Sequence, residues 1–263
     1  MKLAISNIAW SSEDDEQMYF FLKSASFDGL EIAPTRIIAE NPYDKLKEAE
    51  DFKNDLKADF SLSIPSLQAI CFGRPEAIFG TEKERESIKE YIKKAIDFAS
   101  VLGCKNLVFG SPKNRIIGEN QEDIAISFFN ELGTYAHEKK TILAMEPNPE
   151  IYGTNFLNTT TEAVDFVKKI NNQGLKVNVD MGTIIHNNES LDVIANNIDF
   201  INHIHISEPY LEPITEREIH TELYKLLKKY SYGNFISIEM KNTNDIQLVK
   251  NAIHYITNVF KRK

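Results

Sequence analysis

Cysteine occurs only twice in this sequence, at Cys71 and Cys104, which is too few for a disulfide framework and fits a reducing compartment. Basic residues are outnumbered, with 30 Lys and Arg against 39 Asp and Glu, so the formal net charge is −9. Non-specific attraction to nucleic acid or to an anionic membrane is therefore not expected. No apolar run approaches the roughly 18 residues of a membrane-spanning helix. The N-terminal MKLAISNIAW has neither the long apolar region nor the small-residue cleavage site of a secretory signal. A cytoplasmic protein is the expectation. Glycine is missing from SNIAWSSEDD, where a doubly wound nucleotide-binding sheet would place a phosphate loop after its first strand.

What is present is an alternation of strand and helix patterns along the whole chain. Strands are expected at 3–9, 29–33, 60–70 and 105–110, the second closed by Pro34 and the third limited by Pro65. Between them, helices are expected at 13–25, with Ser11 or Ser12 as cap, at Pro42–Leu56 and at Glu84–Leu102, which ends at Gly103. Further helices are expected near Gln121–Lys139, Thr160–Asn171, Ser190–Asp199, Thr215–Tyr230 and Asp245–Phe260. With four more strands this makes eight βα units in 263 residues, no linker, and 42% hydrophobic residues for a sizeable core. The expected fold is α/β, a single (β/α)₈ TIM barrel, with one domain over 1–263.

The four remaining strands, TILAME, LKVNVD, INHIHI and FISIE, each carry an ionisable residue at or beside the C-terminal end. These are Glu146, Asp180, His205 and Glu239, spaced 34, 25 and 34 residues apart, each interval close to one βα unit. Because side chains alternate along a strand, each shares a face with a small or polar residue: Ala144, Asn178, His203 and Ser237. The opposite face is large and apolar, which fits the outer wall of a barrel packed by helices. In such a barrel the four groups converge at the C-terminal face, where active sites lie. Inward charges cost free energy unless compensated, and three carboxylates with one imidazole suit Mn²⁺, Mg²⁺, Co²⁺ or Zn²⁺.

A metal there can polarise the carbonyl and neighbouring hydroxyl of a sugar while two bases, Glu146 and Glu239, move a proton on opposite faces. Dehydration of a keto-polyol uses the same chemistry, and a non-catalytic sugar-binding barrel is the rival from another class. Other residues have two readings each. Lys113 and Arg115, in the loop after the fourth strand, either grip an anionic substrate group or pair with Glu119 or Glu122. Arg74 resembles them. Glu31 points to substrate or to an Arg such as Arg115. Trp10 and Phe72 wall a sugar pocket or pack in the core. His220 overhangs the site or lies at the surface; His203 supports a ligand or fills the barrel. Asn148 and Tyr152 are placed to donate hydrogen bonds to substrate hydroxyls.

The segments EIAP (31–34), LVFGSPKNR (107–115), MEPNP (145–149), YGTNF (152–156), VDMGT (179–183), HIHISEP (203–209) and SIEM (237–240) resemble, in order, the sugar phosphate isomerase/epimerase superfamily of xylose isomerase-like barrels. The resemblance implies one divalent metal, commonly Mn²⁺, at Glu146, Asp180, His205 and Glu239. It also implies the two glutamates as an acid/base pair, and a small carbohydrate as partner. Barrels of this kind often pair through outer helices, so a homo-oligomer is compatible. The chain departs from the family's nuclease branch, whose extra histidines are replaced by Gln68 and by Phe109-Gly110-Ser111. Thr183 stands where ketose 3-epimerases often carry a histidine.

Overall fold

The computed structural model describes residues 1–261, so the last two positions of the expected 1–263 span lie outside the described residues. Eight parallel strands form one sheet: β1 Lys2–Ser6, β2 Gly29–Glu31, β3 Ser66–Leu67, β4 Asn106–Phe109, β5 Leu143–Met145, β6 Leu175–Asp180, β7 Ile201–Ile206 and β8 Phe235–Ile238. Their order is β2-β1-β8-β7-β6-β5-β4-β3. The ring is nearly closed. Between its two ends only single bridges occur, Gly29 to Ser63 and Ile32 to Leu67. Hydrogen bonds such as Leu30 N to Ser63 O, 2.8 Å, and Gln68 N to Ile32 O, 3.0 Å, complete the seam. Gly29 is required there, because a Cβ at that position would meet the ring of Pro65 at 2.8 Å.

The eightfold alternation and its inward and outward faces are as expected. Leu143, Met145, Val177, Val179, Ile204, Ile206 and Ile238 are fully buried beneath the helices. At about 1.5–3 kcal/mol for each large apolar side chain removed from water, this interface is the main stabilising layer. The polar inner face is tied together as well. Asn106 Nδ2 donates to Ser66 Oγ at 3.0 Å, and His203 Nε2 lies 2.9 Å from Ser237 Oγ. The helix Glu82–Leu102 buries Ile88, Ile92, Ala95, Ala99 and Leu102 at helical spacing. It opens with a capping box between Thr81 and Glu84 and stops at Gly103, φ +69°.

Four expectations are corrected. The first strand ends at Ser6 rather than at residue 9, where the chain tightens into a 3₁₀ turn over Asn7–Ala9. The third is only Ser66–Leu67: the helix Leu46–Phe60 runs to its doorstep, and Pro65 has no N–H for a ladder. Neither Ser11 nor Ser12 caps the first helix, Asp15–Ser24. After β6 the helix does not wait for Ser190 but starts at Met181, as Met181–Asn187, because the Asp180 side chain accepts from Thr183 N and starts it directly; the expected Ser190–Asp199 is broken into the short Asp192–Ala195 and a 3₁₀ turn at Ile198–Phe200. No helix among the described residues is long and apolar enough to cross a membrane.

Candidate metal centre and substrate cavity

Glu146, Asp180, His205 and Glu239 meet at the C-terminal mouth of the barrel. One ligand atom from each lies within 4.8 Å of all the others. Asp180 is held at both oxygens. Its Oδ2 accepts from Thr183 N at 2.7 Å and Thr183 Oγ1 at 2.8 Å, and its Oδ1 accepts from Ser207 Oγ. Ser207 in turn accepts from Gly182 N at 2.8 Å. Glu146 Oε1 accepts from Asn178 Nδ2 at 2.7 Å, whereas Oε2 faces Gly110, at which a Cβ would collide with it.

His205 is fixed from below. Its Nε2 lies 3.0 Å from Glu31 Oε2, and that same oxygen is 3.2 Å from His203 Nε2. Burial alone would raise the Glu31 carboxyl, but the imidazoles of His205 and His203 outweigh it and hold it well below the usual carboxylate range. An ionised Glu31 only accepts, so Nε2 of His205 carries the proton and donates. Nδ1 is thereby turned to the cluster, 2.9 Å from Glu146 Oε1 and 3.1 Å from Glu239 Oε2, yet without a hydrogen bond of acceptable geometry. Burial pushes up the carboxyls of Glu146 and Glu239, and burial together with the charge of Glu146 pushes up Asp180. Burial opposes a charge on His205, but Glu31 and Glu239 overcome it and drive its pKa well above normal. Three buried carboxylates and an unpartnered imidazole nitrogen, all within coordinating distance of one point, fit a divalent cation.

The cluster floors a cavity of about 540 Å³, into which Glu146, Asp180 and Glu239 open. Among the other residues singled out in the sequence, Lys113, Asn148, Tyr152, Phe72 and Arg74 line it. Lys113 is exposed, and Glu122, one partner considered for it, pairs with Lys169 at 2.8 Å instead. Asn148 Oδ1 accepts from Arg115 Nη2 at 2.7 Å, and Tyr152 Oη accepts from Tyr210 N at 2.7 Å, which leaves the Tyr152 proton free to donate.

At four of the positions with two readings, the side chain lies outside the cavity wall. Arg115 is fully buried and is not in the cavity wall. The turn Pro112–Asn114 folds it beneath β5, where Nη2 donates to Glu146 O at 2.8 Å. It therefore fixes the backbone of Glu146 instead of gripping an anion. Glu31 meets neither the cavity nor Arg115, since His205 and His203 have claimed it. Trp10 is core, with Nε1 donating to Asp15 at 2.8 Å. His220 is buried on the helix Glu218–Lys229 against the Tyr255 hydroxyl, 3.0 Å away. Sequence reasoning missed Ser207, although it lies two residues beyond His205 on the same face. Phe72 lines the cavity and is 70% exposed, so packing does not account for it.

The chain matches the family described as xylose isomerase-like TIM barrel over residues 21–259. No curated protein matches it. Among solved structures, the 3-keto-D-glucoside 4-epimerase of E. coli is 16% identical, with 97% of this chain and 98% of that one covered and a TM-score of 0.78. A D-psicose 3-epimerase from Clostridium cellulolyticum H10, solved with D-tagatose, is 16% identical, covers 99% of each chain and has a TM-score of 0.78. A sugar phosphate isomerase/epimerase from Parabacteroides distasonis is 15% identical, covering 97% and 95%, with a TM-score of 0.72. Likeness at such low identity establishes the fold, and each activity remains that of the protein named.

Proposed function

The chain belongs to the xylose isomerase-like TIM barrels, and from that premise we propose that it is a divalent-metal-dependent sugar isomerase or epimerase. It would work as a single domain in the cytoplasm. The observation that carries the reading is the convergence of four donor atoms within 4.8 Å at the floor of an open cavity. Mn²⁺ is the first choice of ion, ahead of Mg²⁺, Co²⁺ and Zn²⁺.

Bound to this set, a divalent cation would supply positive charge to a carbonyl oxygen and an adjacent hydroxyl of the sugar. Asp180, pinned by Thr183 and Ser207, and His205, pinned by Glu31, would be the fixed ligands. Glu146 and Glu239 stand on two sides of His205 Nδ1 and open into the cavity, so one, as carboxylate, takes the proton from the hydroxyl-bearing carbon next to the carbonyl and the other, as carboxylic acid, delivers its own proton to the opposite face. Oε2 of Glu146 has its path to substrate kept clear by Gly110. The Tyr152 hydroxyl donates to a substrate oxygen, and Asn148 orients the loop through Arg115.

The test is metal content of the purified protein and of Asp180→Asn, with folding of both followed by circular dichroism. About one Mn, Co, Mg or Zn per chain, lost in the variant, is the expected result. A well-folded wild type that neither retains nor takes up metal overturns the reading. Ketoses and inososes are then screened in deuterated water. Deuterium gain at carbon without loss of water is the isomerase outcome, and net loss of water identifies a dehydratase.

A further inference from the structure

The cavity is larger than a sugar. A six-carbon sugar has twelve heavy atoms and occupies about the space of six waters, on the order of 180 Å³. The cavity measures about 540 Å³, so most of it extends beyond a sugar seated on the cluster. Its two ends differ in chemistry. At the strand ends Glu146, Asp180, Glu239 and Gln68 are polar, with Val108 of β4 beside them, whereas the loop residues Cys71, Phe72, Pro112 and Leu211 give the outer wall an apolar side next to Arg74 and Lys113.

That outer wall is poorly equipped for an anion. Arg115 is buried elsewhere, and Arg74, though it lines the wall, is already committed to Glu76, to Ser87 at 3.2 Å and to the face of Tyr91 at 4.6 Å. Lys113 is left as a single exposed ammonium. A phosphate usually takes a guanidinium fork or the N-terminus of a helix. An exposed phenyl ring is the opposite provision. Phe72 keeps 70% of its surface open to solvent while lining the cavity, and Leu211 stands in the same wall. Both loops are held in shape. Ala69 and Leu211 have left-handed backbones, φ +52° and +54°, and Leu211 O accepts from Lys241 N at 2.8 Å.

We propose that this outer wall is a subsite for an apolar, preferably aromatic, aglycone, so that the substrate is a neutral keto-glycoside rather than a free ketose or a sugar phosphate. The inference rests on the sugar-handling reading above and narrows it. The ring of Phe72 stacks on the aglycone while the sugar's oxygens face the cluster.

The test is calorimetric titration of the Mn-loaded protein with the 3-keto derivatives of phenyl β-D-glucoside and methyl β-D-glucoside and with fructose 6-phosphate. The phenyl glycoside is expected to bind roughly tenfold more tightly than the methyl glycoside, and the phosphate no more tightly than the methyl glycoside. Phe72→Ala should abolish the phenyl advantage and Phe72→Tyr should keep it. Equal affinity for phenyl and methyl glycosides, tightest binding of the phosphate, or a phenyl advantage that survives Phe72→Ala overturns the proposal. So does a finding that Phe72→Ala changes the sedimentation mass and not the affinity, because the ring then serves a second copy of the chain. If ketoses exchange hydrogen with solvent but no glycoside binds, the aglycone subsite alone fails. If nothing binds or exchanges, the sugar reading fails with it.

Discussion

Replacing Gly110 by alanine would place a methyl group where Oε2 of Glu146 now lies. An exposed glutamate would swing aside at little cost, but Glu146 is 8% exposed and is held at Oε1 by Asn178 at 2.7 Å. Rotating its carboxylate far enough to clear the methyl breaks that buried, charge-assisted hydrogen bond, which costs about 1.5–3 kcal/mol. The same rotation removes one of the four donors from its place. At 1.4 kcal/mol per tenfold, Mn²⁺ affinity should fall roughly ten- to a hundredfold. Competition titration against a coloured chelator measures this, with circular dichroism confirming that the barrel is intact. A Kd within threefold of wild type would mean that Glu146 can clear Gly110 freely, and the account of how Glu146 is held would be wrong.

His220 makes a second prediction, in pH. Burial pushes its pKa down to about 4, and its Nε2 has no hydrogen-bond partner. The unfolded chain binds this proton first, near the ordinary 6.5. Stability is therefore full above pH 6.5 and declines toward pH 4, by about 3 kcal/mol. Urea midpoints should show a shallower acid decline in His220→Gln, and identical slopes would refute the assignment. Arg217→Ala removes Nε and Nη2 from Glu208, now 2.7 and 2.6 Å away, and leaves a carboxylate that is 4% exposed with few partners. A loss of about 2 kcal/mol is expected at pH 7, measured by urea unfolding. Because Arg217 is among the groups that lower the Glu208 pKa against its burial, this contribution is present above the ordinary carboxylate pKa and fades as pH falls below it. A constant difference down to pH 3 would refute that linkage.

The sequence made the barrel legible because its information was local. Alternation within β5 to β8 separates Val179 from Asp180, or Ile206 from His205, without reference to any other part of the chain. The four strand ends could be read for the same reason. What could not be read depended on contacts far apart in the chain. Glu31 and His205 are 174 positions apart, and nothing near Glu31 marks an imidazole as its partner. Arg115 looked available because it follows a strand at the right end, but the turn at Pro112 decides its direction, and the turn's handedness is not written in the residue types. The early start of the helix at Met181 did have a local sign, an Asp followed three residues later by Thr. Read only as a ligand, Asp180 concealed its second task as a cap.

The Glu31–His205 contact has a mechanical meaning too. A barrel resists opening by its hoop of strand ladders, and this hoop is thinnest between β2 and β3, where isolated bridges replace a ladder. Glu31 is the last residue of β2, and His205 stands on β7, reached round the hoop only through β1 and β8. Their 3.0 Å contact is thus a spoke across the lumen, bracing the weak edge of the wall against the rigid side that carries the acidic cluster. Slack at the seam would reach Nδ1 of His205 through a single carboxylate, so the stiffness of the ring and the aim of the imidazole are one property.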